Sequence, residues 1–211
     1  MKPLIDCHLY GILDLGYVEA SDAVHVATRM IAGGVDIIQL RAKGRSLREI
    51  NGLAFELHRV TAEANVPLVI NDYPEIARDV GAEGVHVGQD DLTVAEARQI
   101  AGTCFVGQST HSIDQARRAA AEGADYIGFG PLFATPTKPE YVPVGLDGIR
   151  PTHVAATLPI FCIGGIKLDN LPQVLAAGAQ RVVIVSGLLQ AADVVEYARA
   201  AKTVLTRHSQ T

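Results

Sequence analysis

The chain has 211 residues, of which 48% are hydrophobic and 19% charged, and its net charge is −5 at neutral pH. So apolar a composition supplies a core and excludes disorder, while the acidic balance disfavours nucleic-acid and membrane-surface partners, whose footprints are basic. No apolar run reaches the roughly 18 residues of a bilayer span, and Asp6 interrupts the stretch that a signal peptide would keep apolar. Cys7, Cys104 and Cys162 are an odd number and widely spaced, so no disulfide framework is expected and a reducing cytoplasm is the natural compartment.

In chain order, a first strand is predicted over His8–Leu13, followed by a helix capped at Ser21 and closed at Gly33-Gly34. A second strand, Asp36–Leu40, precedes a capping box, Ser46-Leu47-Arg48-Glu49, with Leu47, Ile50, Leu53, Ala54, Leu57 and Val60 on one helical face. Pro67–Ile70 is the third strand; Pro74 then suits a first helical turn and Gly81 its end. Gly84–Val87 is the fourth, followed by a second capping box at Thr93–Glu96 and a stop at Gly102. Cys104–Val106, a helix capped by Ser112 and ended at Gly123, Asp125–Phe129, Pro159–Ile163, a stop at Gly178 and Arg181–Val185 complete the series. The tail from Lys202 to Thr211 is polar and is expected to fray.

Most of these strands are near-continuous hydrophobic runs, the mark of parallel strands covered on both faces. Eight of them in 211 residues give about 26 residues per unit, which fits a single compact (β/α)8 TIM barrel with its core over about residues 8–200. A weak internal repeat agrees. Gly34-Val35-Asp36-Ile37-Ile38 resembles Gly123-Ala124-Asp125-Tyr126-Ile127 at a spacing of 89 residues, and the segments at Val66 and Leu158, and at Gly81 and Gly178, repeat at 92 and 97. The alternative, an open doubly wound sheet, normally has fewer strands and often a Gly-x-Gly-x-x-Gly turn, which is missing.

In such a barrel the active site lies at the C-terminal ends of the strands. Strand 2 ends with Gln39, Arg41 and Lys43, strand 3 with Asn71 and Asp72, strand 4 with Gly88 through Asp91, and strand 5 with Ser109 and His111. Strand 6 is followed by Thr135, Thr137 and Lys138, strand 7 ends at Gly164-Gly165, and Val185-Ser186-Gly187 closes strand 8. The glycines after strands 7 and 8 mark a phosphate site, unless they merely turn the chain. Arg41, Lys43 and Lys138 suggest a second, larger anion, although exposed cations are usually only solvated. Asp72 and Asp91 repel unless a cation lies between them, and with no His or Cys at ligand spacing that cation reads as Mg²⁺ shared with phosphate oxygens. The other reading makes them helix caps. Ser109 and His111 lack an orienting acid and read as a hydrogen-bond donor and its neighbour rather than a hydrolase pair. His86 reads as a satisfied core histidine, and the three cysteines as small apolar fillers.

Taken together, Gln39-Leu40-Arg41-Ala42-Lys43, Asn71-Asp72, Gly84 through Leu92, Ser109-Thr110-His111, Asp125 through Pro131, Thr135 through Lys138, Ile163 through Ile166 and Val185-Ser186 resemble the thiamine phosphate synthase family, in order from about residue 9 to residue 190. The resemblance implies a transferase that joins an aminopyrimidine methyl diphosphate to a thiazole phosphate, with Mg²⁺, by departure of diphosphate followed by attack of the thiazole nitrogen. It implies that Gln39, Arg41, Lys43, Asn71, Ser109 and Lys138 meet the pyrimidine diphosphate, with Arg41, Lys43, Ser109 and Lys138 catalytic. It further implies Asp72 and Asp91 as the metal ligands, and Thr135, Thr137, Gly165, Val185 and Ser186 at the thiazole phosphate. Ala42 stands where the family often has an acid, and Gln108 where an aliphatic residue is common. A related barrel, a thiazole tautomerase, would need no diphosphate site, and a non-catalytic phosphate-ligand sensor would need no complete polar set. The expected partners are small phosphorylated molecules, and a homo-oligomer is left open.

Overall fold

The computed structural model of the protein describes residues 2–135 and 142–208. Strands and helices alternate: β1 (Leu9–Asp14), α1 (Ala23–Ala32), β2 (Ile37–Arg41), α2 (Leu47–Glu63), β3 (Leu68–Asn71), α3 (Pro74–Val80), β4 (Gly84–Val87), α4 (Val94–Ala101), β5 (Phe105–Thr110), α5 (Ile113–Ala121), β6 (Tyr126–Phe129), α6 (Ile149–Ala155), β7 (Ile160–Cys162), α7 (Leu171–Ala176), β8 (Val182–Ile184), α8 (Ser186–Leu189) and α9 (Val194–His208). Each strand pairs in parallel with the next, and β8 pairs back onto β1 through Leu9 opposite Val182, so the sheet closes into a (β/α)8 barrel. That closure rules out the open doubly wound sheet. The repeat spacings relate β2 to β6, β3 to β7 and β4 to β8, four units apart, and Gly81 and Gly178 share the left-handed backbone that the repeat predicts.

Alternation of side chains along each strand separates two apolar layers. Leu9, Leu13, Ile38, Leu40, Val85, Val106 and Ile127 face outward and pack under the helices. Tyr10, Ile12, Ile37, Val69, Tyr126, Phe161 and Val183 fill the barrel interior. Burying each large aliphatic side chain contributes about 1.5–3 kcal/mol, so the two-sided burial of the strands dominates the stability of the fold. Gly107 of β5 is a requirement of this packing: a Cβ there would stand 2.1 Å from Cζ of Tyr126.

Local signals set the helix starts. Ser46 and Glu49, and Thr93 and Glu96, form the two capping boxes; Ser112 caps α5, and Pro74 opens α3. Ser21 does not cap α1, which starts after a 3₁₀ turn at Ala20–Asp22 with Asp22 at its N-cap position. Leu47 stands exposed at the start of α2, where the buried stripe is Ile50, Ala54, Leu57 and Thr61. Two strands run further than their apolar residues indicate. β1 includes Asp14, and β5 continues through Gln108, Ser109 and Thr110, each paired to β6. Of the tail expected to fray, residues 202–208 are the last turns of α9, which buries Ala198, Ala201 and Leu205 at helical spacing, and residues 209–211 lie outside the described residues. Lys202 and Lys2 both pair with Asp36 at the foot of the barrel. Burial alone would raise the Asp36 carboxyl, yet hydrogen bonds from both lysines and from the Leu9 and His8 amides hold it below the ordinary carboxylate range. All three cysteines are free and buried. Among the described residues no helix is long and apolar enough to cross a membrane.

Candidate active site

The C-terminal ends of β1 to β4 carry a charged cluster. Arg41, the last residue of β2, lies opposite Asp14 of β1 in the strand register. Its Nη1 donates to Asp14 Oδ2 at 2.6 Å, and Asp14 Oδ1 accepts from the amide of Gly16 at 2.9 Å. The carboxylate is nearly buried, at 3% exposure, so it fixes the guanidinium at the rim of the mouth. Asp14 is a site residue that the sequence analysis missed. Lys43 forms an ion pair with Asp72 just past β3.

Asp72 has a positive φ of 68°, a conformation rare for a residue with a Cβ, and this turns its carboxylate back towards the mouth instead of capping α3. Among the described residues, no well-directed hydrogen bond reaches its buried Oδ2, which meets the Lys43 ammonium. Burial raises the Asp72 carboxyl above the ordinary range; Lys43 works against this, and the neighbouring Asp91 carboxylate adds to it. Burial works to lower the Lys43 ammonium, but the Asp72 carboxylate outweighs it and the ammonium is held above its ordinary value. Asp91 does not cap α4, whose cap is Thr93. Its Oδ2 accepts from the amide of Gly88 at 2.8 Å, a turn so tight that a Cβ on Gly88 would stand 2.6 Å from that oxygen. The two carboxylates are neighbours: Asp91 acts on the Asp72 carboxyl through its charge and through a side-chain hydrogen bond. Asn71 ends β3 beside them, opposite His86.

The ends of β5 to β8 instead enclose a cleft lined by Ser109, Thr110, His111, Thr135, Gly164, Gly165, Val185 and Ser186. Five residues expected at the two substrates, namely Ser109, Thr135, Gly165, Val185 and Ser186, therefore share one wall of the mouth. Thr137 and Lys138 lie outside the described residues. Gly165 has φ 65°, and a Cβ there would stand 2.7 Å from Cβ of Phe133 and 2.9 Å from the Ala134 carbonyl. The close approach of the 131–134 loop is thus sufficient reason for this glycine, and the turn and phosphate readings are compatible. Asn170 Nδ2 donates to the Gly165 carbonyl at 2.9 Å and its Oδ1 accepts from the Lys167 amide, holding the loop after β7 in place. His111 Nδ1 bonds the Gly130 carbonyl, so this ring is tied to backbone and is not paired with Ser109.

Ser109 pairs with His86, whose Nε2 lies 2.9 Å from Ser109 Oγ. His86 is satisfied, as expected, yet its ring is only half-buried and reaches the mouth from the inner face of β4. Its Nδ1 lies 2.9 Å from the Tyr126 hydroxyl, which lies 3.1 Å from that of Tyr10. Gln39, at 2% exposure, sits inside the barrel below the rim, and its Nε2 donates to Tyr10 Oη at 2.7 Å. Tyr10, Tyr126 and His86 carried no sequence signal beyond strand alternation. Gln108 faces the opposite way from Ser109, into a pocket that it shares with Gln89, Asp91, Gln115 and Arg118.

Fold and site together define a TIM-barrel enzyme whose mouth is charged on one half and glycine-rich on the other. The model of the family described as thiamine monophosphate synthase matches residues 9–188. The chain is 40% identical over 204 residues to the thiamine-phosphate synthase of Chloroflexus aurantiacus, covering 96% of this chain and 94% of that protein. It is 39% identical over 212 residues to that of Shouchella clausii, covering both chains completely. Among solved structures, a thiamine phosphate pyrophosphorylase from Pyrococcus furiosus superposes with a TM-score of 0.88 at 29% identity over 96% of both chains. A 3-hexulose-6-phosphate synthase, at 20% identity and a TM-score of 0.69, shares the fold. The chain belongs to the thiamine monophosphate synthase family and is a transferase of thiamine biosynthesis.

Proposed function

We propose that the protein condenses 4-amino-2-methyl-5-(diphosphooxymethyl)pyrimidine with 4-methyl-5-(2-phosphoethyl)thiazole, giving thiamine phosphate and diphosphate with the assistance of Mg²⁺. The observation that carries this reading is the convergence of Arg41, Lys43, Asp72 and Asp91 on one half of the mouth, opposite the cleft of β5 to β8. A cluster of two cations and two carboxylates suits a metal-bound diphosphate, and the cleft, with Ser186 and the loop of Gly165, suits a monophosphate. A tautomerase would have no use for the first half.

In this reaction the methylene–oxygen bond breaks with its electron pair leaving on diphosphate, and the lone pair of the thiazole nitrogen forms the new carbon–nitrogen bond. No proton has to move in either event, which is consistent with a mouth whose two histidines are both engaged in hydrogen bonds. Arg41, clamped by Asp14, and Lys43 face the charge that grows on the departing group, and because they are held before the reaction they need not reorganise during it. Asp72 and Asp91 would hold the metal; the donor set is oxygen-only, and the incompletely satisfied Asp72 oxygen fits a hard cation. When bound, the ion supplies positive charge at the leaving group. Gln39, Asn71 and Ser109 would meet the pyrimidine substrate, Lys138 would join the cations, and Thr135, Thr137, Val185, Ser186 and the Gly165 backbone would hold the thiazole phosphate. Three reduced, buried thiols suit a cytoplasmic enzyme.

The test is to mix purified protein with both substrates and Mg²⁺ and assay thiamine phosphate and diphosphate. Equal amounts of the two products, with none when either substrate is withheld, are expected. Isomerisation of a thiazole phosphate alone, or no product, would overturn the reading.

A further inference from the structure

The hydrogen bonds that cross the barrel interior have a direction. At one end the Gln39 amide is oriented with Nε2 on Tyr10, and in that orientation the nitrogen can only donate, so Tyr10 Oη accepts. Burial raises both phenols well above their ordinary values, so each keeps its proton and has one to give. Tyr10 is 1% exposed, and among the described residues its proton has Tyr126 Oη as the remaining partner. Tyr126, now an acceptor from Tyr10, gives its own proton to His86 Nδ1. A neutral imidazole that accepts at Nδ1 carries its proton on Nε2, and that proton points at Ser109 Oγ. The reverse order fails at Tyr10. If Ser109 donated to His86, Tyr10 would receive two donors and be left with a buried hydroxyl proton and no acceptor, at the cost of a lost hydrogen bond.

The packing holds this chain still. Phe161 meets Tyr10 edge-on at 5.4 Å between ring centres and Tyr126 at 5.6 Å, and the missing side chain of Gly107 leaves the space that the Tyr126 ring fills. The five polar side chains come from β2, β1, β6, β4 and β5, so no single strand could carry the order.

We infer that Gln39, Tyr10, Tyr126 and His86 form a one-way hydrogen-bond chain that presents Ser109 to the cleft as a hydrogen-bond donor, with Tyr126 and His86 as its positioning residues. Ser109 Oγ is occupied as an acceptor by His86 and keeps its own proton for a ligand. The inference rests on the reading that Ser109 touches the pyrimidine substrate, and it adds that the substrate atom at Ser109 is an acceptor, a ring nitrogen or a phosphoryl oxygen.

Nitrogen NMR of the ¹⁵N-histidine-labelled protein, with His86 assigned by its loss in His86→Gln, reads the direction without substrate. The proton is expected on Nε2, with Nδ1 in the unprotonated range; a protonated Nδ1 would overturn the chain whether or not the protein makes thiamine phosphate. Kinetics read its purpose. Tyr126→Phe removes one hydroxyl and no volume from the core. It is expected to raise the KM for the pyrimidine diphosphate about two- to tenfold, the ratio that one net hydrogen bond supplies, while the thiazole phosphate KM stays within about twofold. Adding Ser109→Ala should then cost no more than Ser109→Ala alone, because both act through one hydroxyl. Additive losses, or equal rises in both KM values, would assign Tyr126 to packing only. A correct spectrum from a protein that makes no thiamine phosphate would defeat the functional reading and leave the direction of the chain standing.

Discussion

On the proposed function, the two halves of the barrel mouth solve the same problem, holding an anion, with opposite chemistry. At β1 to β4 the groups are charged, paired to one another and anchored on buried carboxylates: Arg41 on Asp14, and Lys43 on Asp72. At β5 to β8 the wall is made of glycines, hydroxyls, His111 and apolar side chains around an open cleft, its loops tied by side-chain hydrogen bonds to backbone such as that from Asn170 to the Gly165 carbonyl. On that proposal, the difference would follow from what each anion does. A group that departs with growing negative charge gains from fixed cations, because their attraction strengthens as the bond breaks. A phosphate that stays on its substrate through the reaction needs binding and orientation only, which uncharged donors supply.

Changes on the charged half should therefore act on turnover and changes on the glycine-rich half on binding. Excess chelator should abolish activity, and full turnover in its presence would remove the metal from the account. Asp91→Asn keeps an oxygen acceptor for the Gly88 amide and so should leave the thermal midpoint nearly unchanged. Its turnover should fall about 10²–10³-fold, the loss seen when one preorganised electrostatic group is removed. Steady-state kinetics beside a melting curve checks both parts.

Asp14→Asn should free the Arg41 guanidinium without touching substrate. A hydrogen bond to a charged group contributes about 1.5–3 kcal/mol, and partial solvent access to Arg41 reduces this. A fall of about tenfold in kcat/KM for the pyrimidine diphosphate is expected, and an unchanged value would show that the clamp is idle. Ser186→Ala should raise the thiazole phosphate KM about two- to tenfold and leave turnover at saturation intact. A turnover defect instead would blur the division between the halves. Gly165→Val is a poor probe of the same site, because the strained φ and the contact with Phe133 damage the fold first.

The smallest effect is on stability. The folded-state Asp72 carboxyl is raised, so the fold binds its proton more tightly than the unfolded chain. Without metal, that contribution is fully present below the unfolded value near about 4 and is lost as pH rises through the raised folded one. On the proposed metal reading the ion would compete for the same carboxylate, so its apparent affinity should fall as pH drops through that window. Melting curves against pH, with and without Mg²⁺, read both. A slope unaltered in Asp72→Asn would assign the dependence elsewhere.

Much of the barrel was legible because its signals are local or periodic. The capping boxes at Ser46 and Thr93 read directly, and eight apolar runs with repeats four units apart point to closure. What was not legible depends on which buried face a residue takes. Strands covered on both sides show no polarity difference between barrel interior and helix layer, so His86 and Tyr126 gave no hint that they face inward, towards Ser109. Asp14 was lost because a carboxylate ends an apolar run in sequence while it continues the strand in space. The tail misled for the reverse reason: its polar composition hid Leu205, which continues the buried helical face of Ala198 and Ala201. The site's charged residues were found from their position at strand ends; that Arg41 and Lys43 each have a carboxylate partner required the strand register.

The division of the mouth is tested most directly by titrating inorganic diphosphate calorimetrically into the wild-type protein and into the Lys43→Ala and Ser186→Ala variants, with and without Mg²⁺. Diphosphate should bind the wild type and Ser186→Ala with similar affinity, only when Mg²⁺ is present, and Lys43→Ala at least tenfold more weakly, about 1.4 kcal/mol or more. Binding that is indifferent to Mg²⁺ and to Lys43, or that is lost in Ser186→Ala alone, would contradict the account.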